Sequence, residues 1–140
     1  MSEIIYALGR IAVPVVFIVF GIIQATNIDN YVTNPAVVKF VADTGNVIPA
    51  VAVAWAVAAI DLIGGLMVLI GFKTRSAAVV LFVFAAMTIW FAHHFWDMEG
   101  AARAANQAHA LKNLAIMGAL LMLAAHGPGR YSVDARMGSA

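Results

Sequence analysis

Four long apolar segments dominate this sequence of 140 residues. They cover residues 4–24, 49–70, 76–95 and 111–125. A hydrocarbon core about 30 Å thick takes roughly 20 helical residues to cross, and each helix satisfies its own backbone hydrogen bonds in lipid. The sequence therefore predicts an all-α fold: a bundle of four transmembrane helices with short links, forming a single integral membrane domain over residues 1–140.

The composition supports this prediction and narrows the function classes. Hydrophobic residues make up 64% of the chain and charged residues 11%, and the mean hydropathy is +0.93. A soluble domain of this size could not bury so much apolar surface, so membrane lipid is the expected surroundings. A net charge of +1, with no polybasic run, gives no reason to expect nucleic acid as a partner. The chain has no cysteine, which excludes disulfides, thiolate nucleophiles and Cys-bound zinc within it.

Basic residues predict the orientation of the bundle. Five lie on the side of the two termini and three on the other: Arg10, Lys73, Arg75, Arg130 and Arg136 against Lys39, Arg103 and Lys112. By the positive-inside rule, both termini are expected in the cytoplasm. In the first link, residues 37–41 after Asn34-Pro35 are equally consistent with a short amphipathic helix in the membrane interface and with plain loop.

A carboxylate in the second apolar segment is the strongest functional indication. Asp61 lies near the middle of this segment, where an unpaired charge is costly, and Gly64 and Gly65 follow on the same side of the helix. Arg10 and Gln24 share one face of the first helix. Two interpretations remain open: an Arg10–Asp61 pair that links two helices, or a polar anchor for a quinone head group, a proton or another small ligand.

Histidines near the other membrane face form a second candidate site. His93 and His94 end the third segment among aromatic residues, and His109 precedes the fourth. Histidines on two helices can hold a metal ion or haem. The alternative is an aromatic belt at the membrane–water boundary.

Several short motifs resemble those of the DoxX family of small bacterial and archaeal membrane proteins, and the resemblance extends over all four segments. Residues 8–10 read Leu-Gly-Arg, residues 61–65 Asp-Leu-Ile-Gly-Gly, and residues 111–114 Leu-Lys-Asn-Leu. The most specific motif is Gly-Pro-Gly-Arg-Tyr-Ser-Val-Asp at residues 127–134.

The resemblance implies a four-helix bundle in the inner (plasma) membrane, associated with respiratory or thiol-redox systems. The expected function is a membrane subunit of a quinone-linked redox complex that anchors a partner or lines a quinone site, and does not catalyse alone. Quinone is the favoured ligand over haem, and a partner protein or homo-oligomer is expected. The alternatives are a small transporter or channel-like bundle, in which Arg10, Gln24 and Asp61 line a polar path, and a structural accessory subunit.

Overall fold

The computed structural model describes residues 2–138, which are helical with no strand in that range. The chain runs through α1 (Ser2–Ala12), α2 (Val15–Thr26), α3 (Ile28–Tyr31), α4 (Pro35–Asp43), α5 (Ala50–Ala59), a π-helical turn (Ile60–Gly64), α6 (Gly65–Ile70) and α7 (Thr74–Phe91). A 3-10 turn (Phe95–Asp97), α8 (Gly100–His126) and α9 (Val133–Arg136) complete it.

The predicted all-α, four-span fold is confirmed. Four helical stretches are long and apolar enough to cross a membrane: Ser2–Thr26, Ala50–Ile70, Thr74–Asp97 and Gly100–His126. The fourth helix begins at Gly100, well before the apolar segment that starts at residue 111. Residues 100–110 are rich in alanine, a strong helix former, but polar residues among them lower the hydropathy that marks a span.

The first span is broken at Pro14. Proline has no backbone N–H, so it cannot donate to the carbonyl of Arg10 one turn earlier. The chain turns at residues 13–14, and hydrogen bonding resumes with the amide of Ile18 donating to the carbonyl of Pro14 at 3.0 Å. The break separates α1 from α2.

The spans pack in chain order. The first packs on the second, the second on the third, and α8 mainly on α7. Val68 of α6, Leu81 of α7 and Leu120 of α8 are fully buried and form the centre of the core, which Phe17 of α2 joins. The first and fourth spans also meet, because Phe17 and Leu120 belong to one core cluster.

The first link contains the short amphipathic helix that was one of two sequence alternatives. Asn34 caps α4, its side-chain oxygen accepting a hydrogen bond from the amide of Ala36 at 2.9 Å, and Pro35 occupies the first turn. Val37 is buried and Val38 is half exposed. The buried face of α4 packs on α5 and α7, so the link covers that end of the bundle.

Candidate functional site

Three side chains form a buried polar cluster in the half of the bundle opposite the termini: Gln24, Tyr31 and Asp61, called the polar cluster below. Gln24 and Asp61 are only 8% and 3% exposed. The Gln24 side-chain amide donates to the Tyr31 hydroxyl at 3.2 Å and lies close to the Asp61 carboxylate. Within residues 2–138, the side-chain oxygen of Gln24 is buried without a hydrogen-bond partner. The cluster therefore retains an unused acceptor next to a carboxylate.

The phenol of Tyr31 belongs to this cluster although it lies in the link rather than in a span. Burial, and the nearby negative charge of Asp61, raise the pKa of Tyr31 to about 12. Its hydroxyl is therefore protonated at neutral pH and remains available as a donor. Tyr31 was not among the predicted site residues, because nothing local in α3 indicates that it contacts two different spans.

The backbone at Asp61 departs from a regular α-helix. Asp61 lies in the π-helical turn, a wider turn that is rare and frequently occurs at functional sites. The turn packs against α2, where Gly21 faces Leu62. A β-carbon at Gly21 would lie 2.7 Å from the backbone nitrogen of Leu62. The two spans thus approach at backbone distance beside the polar cluster.

Gly64 and Gly65 serve close packing in the structure. A β-carbon on Gly64 would lie 2.9 Å from the side chain of Leu81, and one on Gly65 would lie 2.8 Å from the side chain of Ile18. Side chains of α7 and α2 therefore fill the space that these glycines leave. The space beside a pair of glycines can hold a neighbouring helix or a ligand. In this structure, neighbouring helices fill it.

Arg10 is separate from this cluster. Its side chain is 3% exposed, and its guanidinium donates to the carbonyl oxygens of Val68 at 3.2 Å, Leu69 at 2.9 Å and Tyr131. No ion pair joins Arg10 to Asp61 in the described part of the chain. Val68 and Leu69 lie seven and eight residues beyond Asp61, about 10–12 Å along a helix with a rise of 1.5 Å per residue. The expected Arg10–Asp61 pair is therefore wrong, because the register of the two spans keeps the groups apart.

The C-terminal segment supplies polar contacts at the end of the bundle that carries both termini. The carboxylate of Asp134 accepts hydrogen bonds from the amides of Lys73 at 2.8 Å and Thr74 at 3.0 Å, and from the Thr74 hydroxyl at 3.2 Å. The amide of Asp134 in turn donates to the carbonyl of Gly71 at 2.9 Å. Asp134 thus caps α7 from a distant part of the sequence.

The candidate metal or haem histidines are only partly brought together. The rings of His93 and His109 stack with centroids 5.0 Å apart, and Nδ1 of His93 lies 3.0 Å from the side-chain oxygen of Asn106. His94 instead lies near Asp97, with 3.7 Å between Nε2 and the carboxylate. No three histidine or acidic side chains among residues 2–138 are grouped to hold a metal ion. Stacked rings present their faces, and not their nitrogens, to each other, so this arrangement does not fit an axial haem pair.

The comparison with known families identifies the chain. The DoxX family profile matches residues 5–94, which is more than half of the sequence. The chain belongs to the DoxX family. The match covers nearly all of the first three spans and every member of the polar cluster.

Two proteins of Escherichia coli K12 are similar to this DoxX protein over nearly its whole length. Inner membrane protein YphA is 34% identical over 133 residues, which cover 95% of this chain and 90% of that protein. Inner membrane protein YqjF is 29% identical over 134 residues, or 96% and 92% of the two chains. No solved structure matches significantly. This DoxX protein is an integral membrane protein, and its relatives are inner membrane proteins.

Proposed function

We propose that this DoxX protein is the membrane subunit of a quinone-linked redox assembly and binds a quinone head group at the polar cluster. The observation that carries the proposal is the buried, unpartnered side-chain oxygen of Gln24 beside the Asp61 carboxylate. A buried acceptor without a partner costs about 1–3 kcal/mol. A ligand that donates a hydrogen bond there would recover part of that cost.

The chemistry of the cluster suits both redox forms of a quinone. A quinol has two hydroxyl donors, and Gln24 and Asp61 offer acceptor oxygens. An oxidised quinone has carbonyl acceptors, and the protonated phenol of Tyr31 offers a donor. Oxidation of the quinol releases two protons and two electrons. Asp61 can accept one proton, the second proton passes to water, and both electrons pass to the redox group of the partner. Gly64 and Gly65 contribute by packing the neighbouring spans against the π-helical turn.

The apolar tail of the ligand would lie against the lipid-facing surface of the first two spans. Phe20 and Ile63 are about half exposed there, close in sequence to Gln24 and Asp61. A head-group anchor beside an apolar wall is the usual composition of a small-molecule site. The ligand would therefore enter from the membrane rather than from water.

Ligand-induced stabilisation tests the binding part of the proposal. The protein in detergent is titrated with a short-tail benzoquinone while its thermal unfolding is followed. A ligand at ten times its Kd adds about 1.4 kcal/mol to the free energy of unfolding. We expect this gain for the wild type and for Asp43→Asn, which changes an exposed carboxylate in α4. Asp61→Asn and Gln24→Met should lose it, and equal gains in all four proteins would contradict the proposal.

The assembly part has its own test. The chain has no cysteine and so cannot supply a thiol redox pair. We therefore expect the electrons of the quinol to pass to a redox group on a partner. Purification from native membranes in mild detergent should yield a second chain that carries a flavin, haem or iron–sulfur group, visible in the absorption spectrum. A protein that binds quinone but always purifies alone would restrict the proposal to binding.

A further inference from the structure

A groove lies between the first and fourth spans at the end of the bundle that carries the termini. It has a volume of about 460 Å³ and is lined by Tyr6, Gly9 and Arg10 from α1 and by Ala119, Met122 and His126 from α8. These residues recur every three to four positions on each helix, so the groove follows both helices for about two turns. Its wall is mostly apolar, and this site is distinct from the polar cluster.

One end of the groove is cationic. Arg10 is nine-tenths buried, its hydrogen bonds to Val68, Leu69 and Tyr131 all go to neutral carbonyls, and its Nε has no hydrogen-bond partner among the described residues. Both Arg10 and Arg75 lie within electrostatic range of the Tyr6 hydroxyl. The Asp134 carboxylate lies within electrostatic range of Arg10 but does not pair with its Nε. The guanidinium therefore keeps an unused N–H at the end of an apolar groove, which favours a further anionic group.

The residues around the cationic end of the groove also favour an anionic group. The Tyr6 hydroxyl donates to the carbonyl of Gly127 at 2.6 Å, and a β-carbon on Gly127 would lie 3.1 Å from the Arg75 guanidinium. Nδ1 of His126 is 3.0 Å from the carbonyl of Met122, so Nε2 points away from the helix backbone. Lysine and arginine outnumber acids by five to two at this end of the bundle: Arg10, Lys73, Arg75, Arg130 and Arg136 against Glu3 and Asp134.

We propose that this groove binds one phospholipid with a net negative head group. One acyl chain lies along Gly9 and Ala119, and the phosphate lies at the cationic end near Arg10, Arg75 and His126. An amphiphile is the occupant that matches an apolar groove ending in positive charge at the edge of the spans. Basic pockets between transmembrane helices on the cytoplasmic side bind anionic head groups in this way, and arginine pairs strongly with phosphate.

A matched pair of glycine variants tests the groove itself. A β-carbon on Gly9 or on Gly118 meets no other atom within 4 Å in the described structure, but only Gly9 lines the groove. Gly9→Leu should fill it, and Gly118→Leu should leave it open. The delipidated protein in nonionic detergent is titrated with phosphatidylglycerol, phosphatidylcholine or glycerol 3-phosphate, and the thermal unfolding midpoint is measured.

Phosphatidylglycerol should raise the midpoint of the wild type and of Gly118→Leu, and should fail to do so in Gly9→Leu. Arg75→Gln should bind this lipid about fivefold more weakly, the factor that corresponds to about 1 kcal/mol per basic residue near anionic lipid. Phosphatidylcholine and glycerol 3-phosphate should give no rise. Equal stabilisation of both glycine variants, or of the wild type by the zwitterionic lipid or the free phosphate ester, would overturn the proposal.

A second readout covers the case in which Gly9→Leu does not fold. Ala119→Leu fills the opposite wall of the same groove, and native mass spectrometry counts the bound lipid directly. The wild type should carry one phosphatidylglycerol per chain and Ala119→Leu none. The same count in both would contradict the assignment.

Discussion

Removing the Asp134 carboxylate should destabilise the bundle, although Asp134 lies outside all four spans. In the native structure this carboxylate accepts hydrogen bonds from the amides of Lys73 and Thr74 and from the Thr74 hydroxyl. Thr74 is fully buried, so Asp134→Ala leaves its amide without water to replace the lost acceptor. An unsatisfied buried donor costs about 1–3 kcal/mol, and a lost helix cap about 1 kcal/mol. We expect a loss of about 2–4 kcal/mol.

The same contacts predict how stability depends on pH. Burial alone would raise the pKa of Asp134, but the hydrogen bonds from Thr74 and Lys73 and the nearby Arg10 charge outweigh it. The pKa of the folded state is therefore below the ordinary value of 3.8. The carboxylate stabilises the fold fully above the unfolded-state value, and this contribution is lost as the pH falls through the lowered folded-state pKa. Asp134→Ala should remove this part of the acid sensitivity.

The assay is unfolding by SDS in mixed micelles, followed by circular dichroism between pH 3 and pH 7. Asp43→Ala is the control, because its partner is Lys39 on the exposed face of α4, and such pairs contribute about 0–1 kcal/mol. Asp134→Asn keeps one acceptor oxygen, so its loss of unfolding free energy should lie between those of Asp134→Ala and Asp43→Ala. If Asp134→Ala loses no more unfolding free energy than Asp43→Ala, the Asp134 carboxylate does not stabilise the start of α7.

Three further predictions follow from packing, charge and topology. Gly21→Ala should cost about 1–3 kcal/mol in the same assay, because the added methyl group would overlap the backbone of the second span; a neutral effect would mean that the spans do not meet there. The losses of unfolding free energy caused by Arg10→Leu and Asp61→Leu should add to within about 0.5 kcal/mol in the double variant, as expected for groups about 10 Å apart; a larger deviation would mean that the two side chains interact directly. With no native cysteine, single Lys73→Cys and Val47→Cys variants report topology: an impermeant thiol reagent should label only Val47→Cys in intact cells, and the reverse would place the termini outside.

The spans were predictable because bilayer thickness fixes the length of an apolar helix. Residues 37–41 were equally consistent with the short helix α4 and with plain loop, and the structure decides for the helix. The start of α8 was not predictable, because the polar residues between 100 and 110 lower the hydropathy of this segment although the segment is helical. Length and hydropathy mark where lipid contact begins, and a helix can extend beyond it.

The site was only partly predictable because pairing between helices depends on their register. The sequence placed Arg10 and Asp61 on facing spans, but a shift of two turns directs Arg10 to the carbonyls of Val68 and Leu69. Tyr31 lies in a link and Asp134 in the C-terminal segment, and each contacts a span from outside it. The motif at residues 127–134 marked the Asp134 segment as specific, yet no local pattern indicated that it caps α7.

Photolabelling with an azido-quinone shows directly whether a quinone binds at the polar cluster. The purified protein is irradiated with the short-tail probe, digested, and its adducts are located by mass spectrometry, with excess unlabelled quinone as competitor. We expect adducts that excess quinone suppresses in the peptides around Gln24, Tyr31 and Asp61, and we expect Asp61→Asn to lose them. Adducts confined to the groove between α1 and α8, or labelling of the polar cluster that neither competitor nor Asp61→Asn reduces, would contradict it.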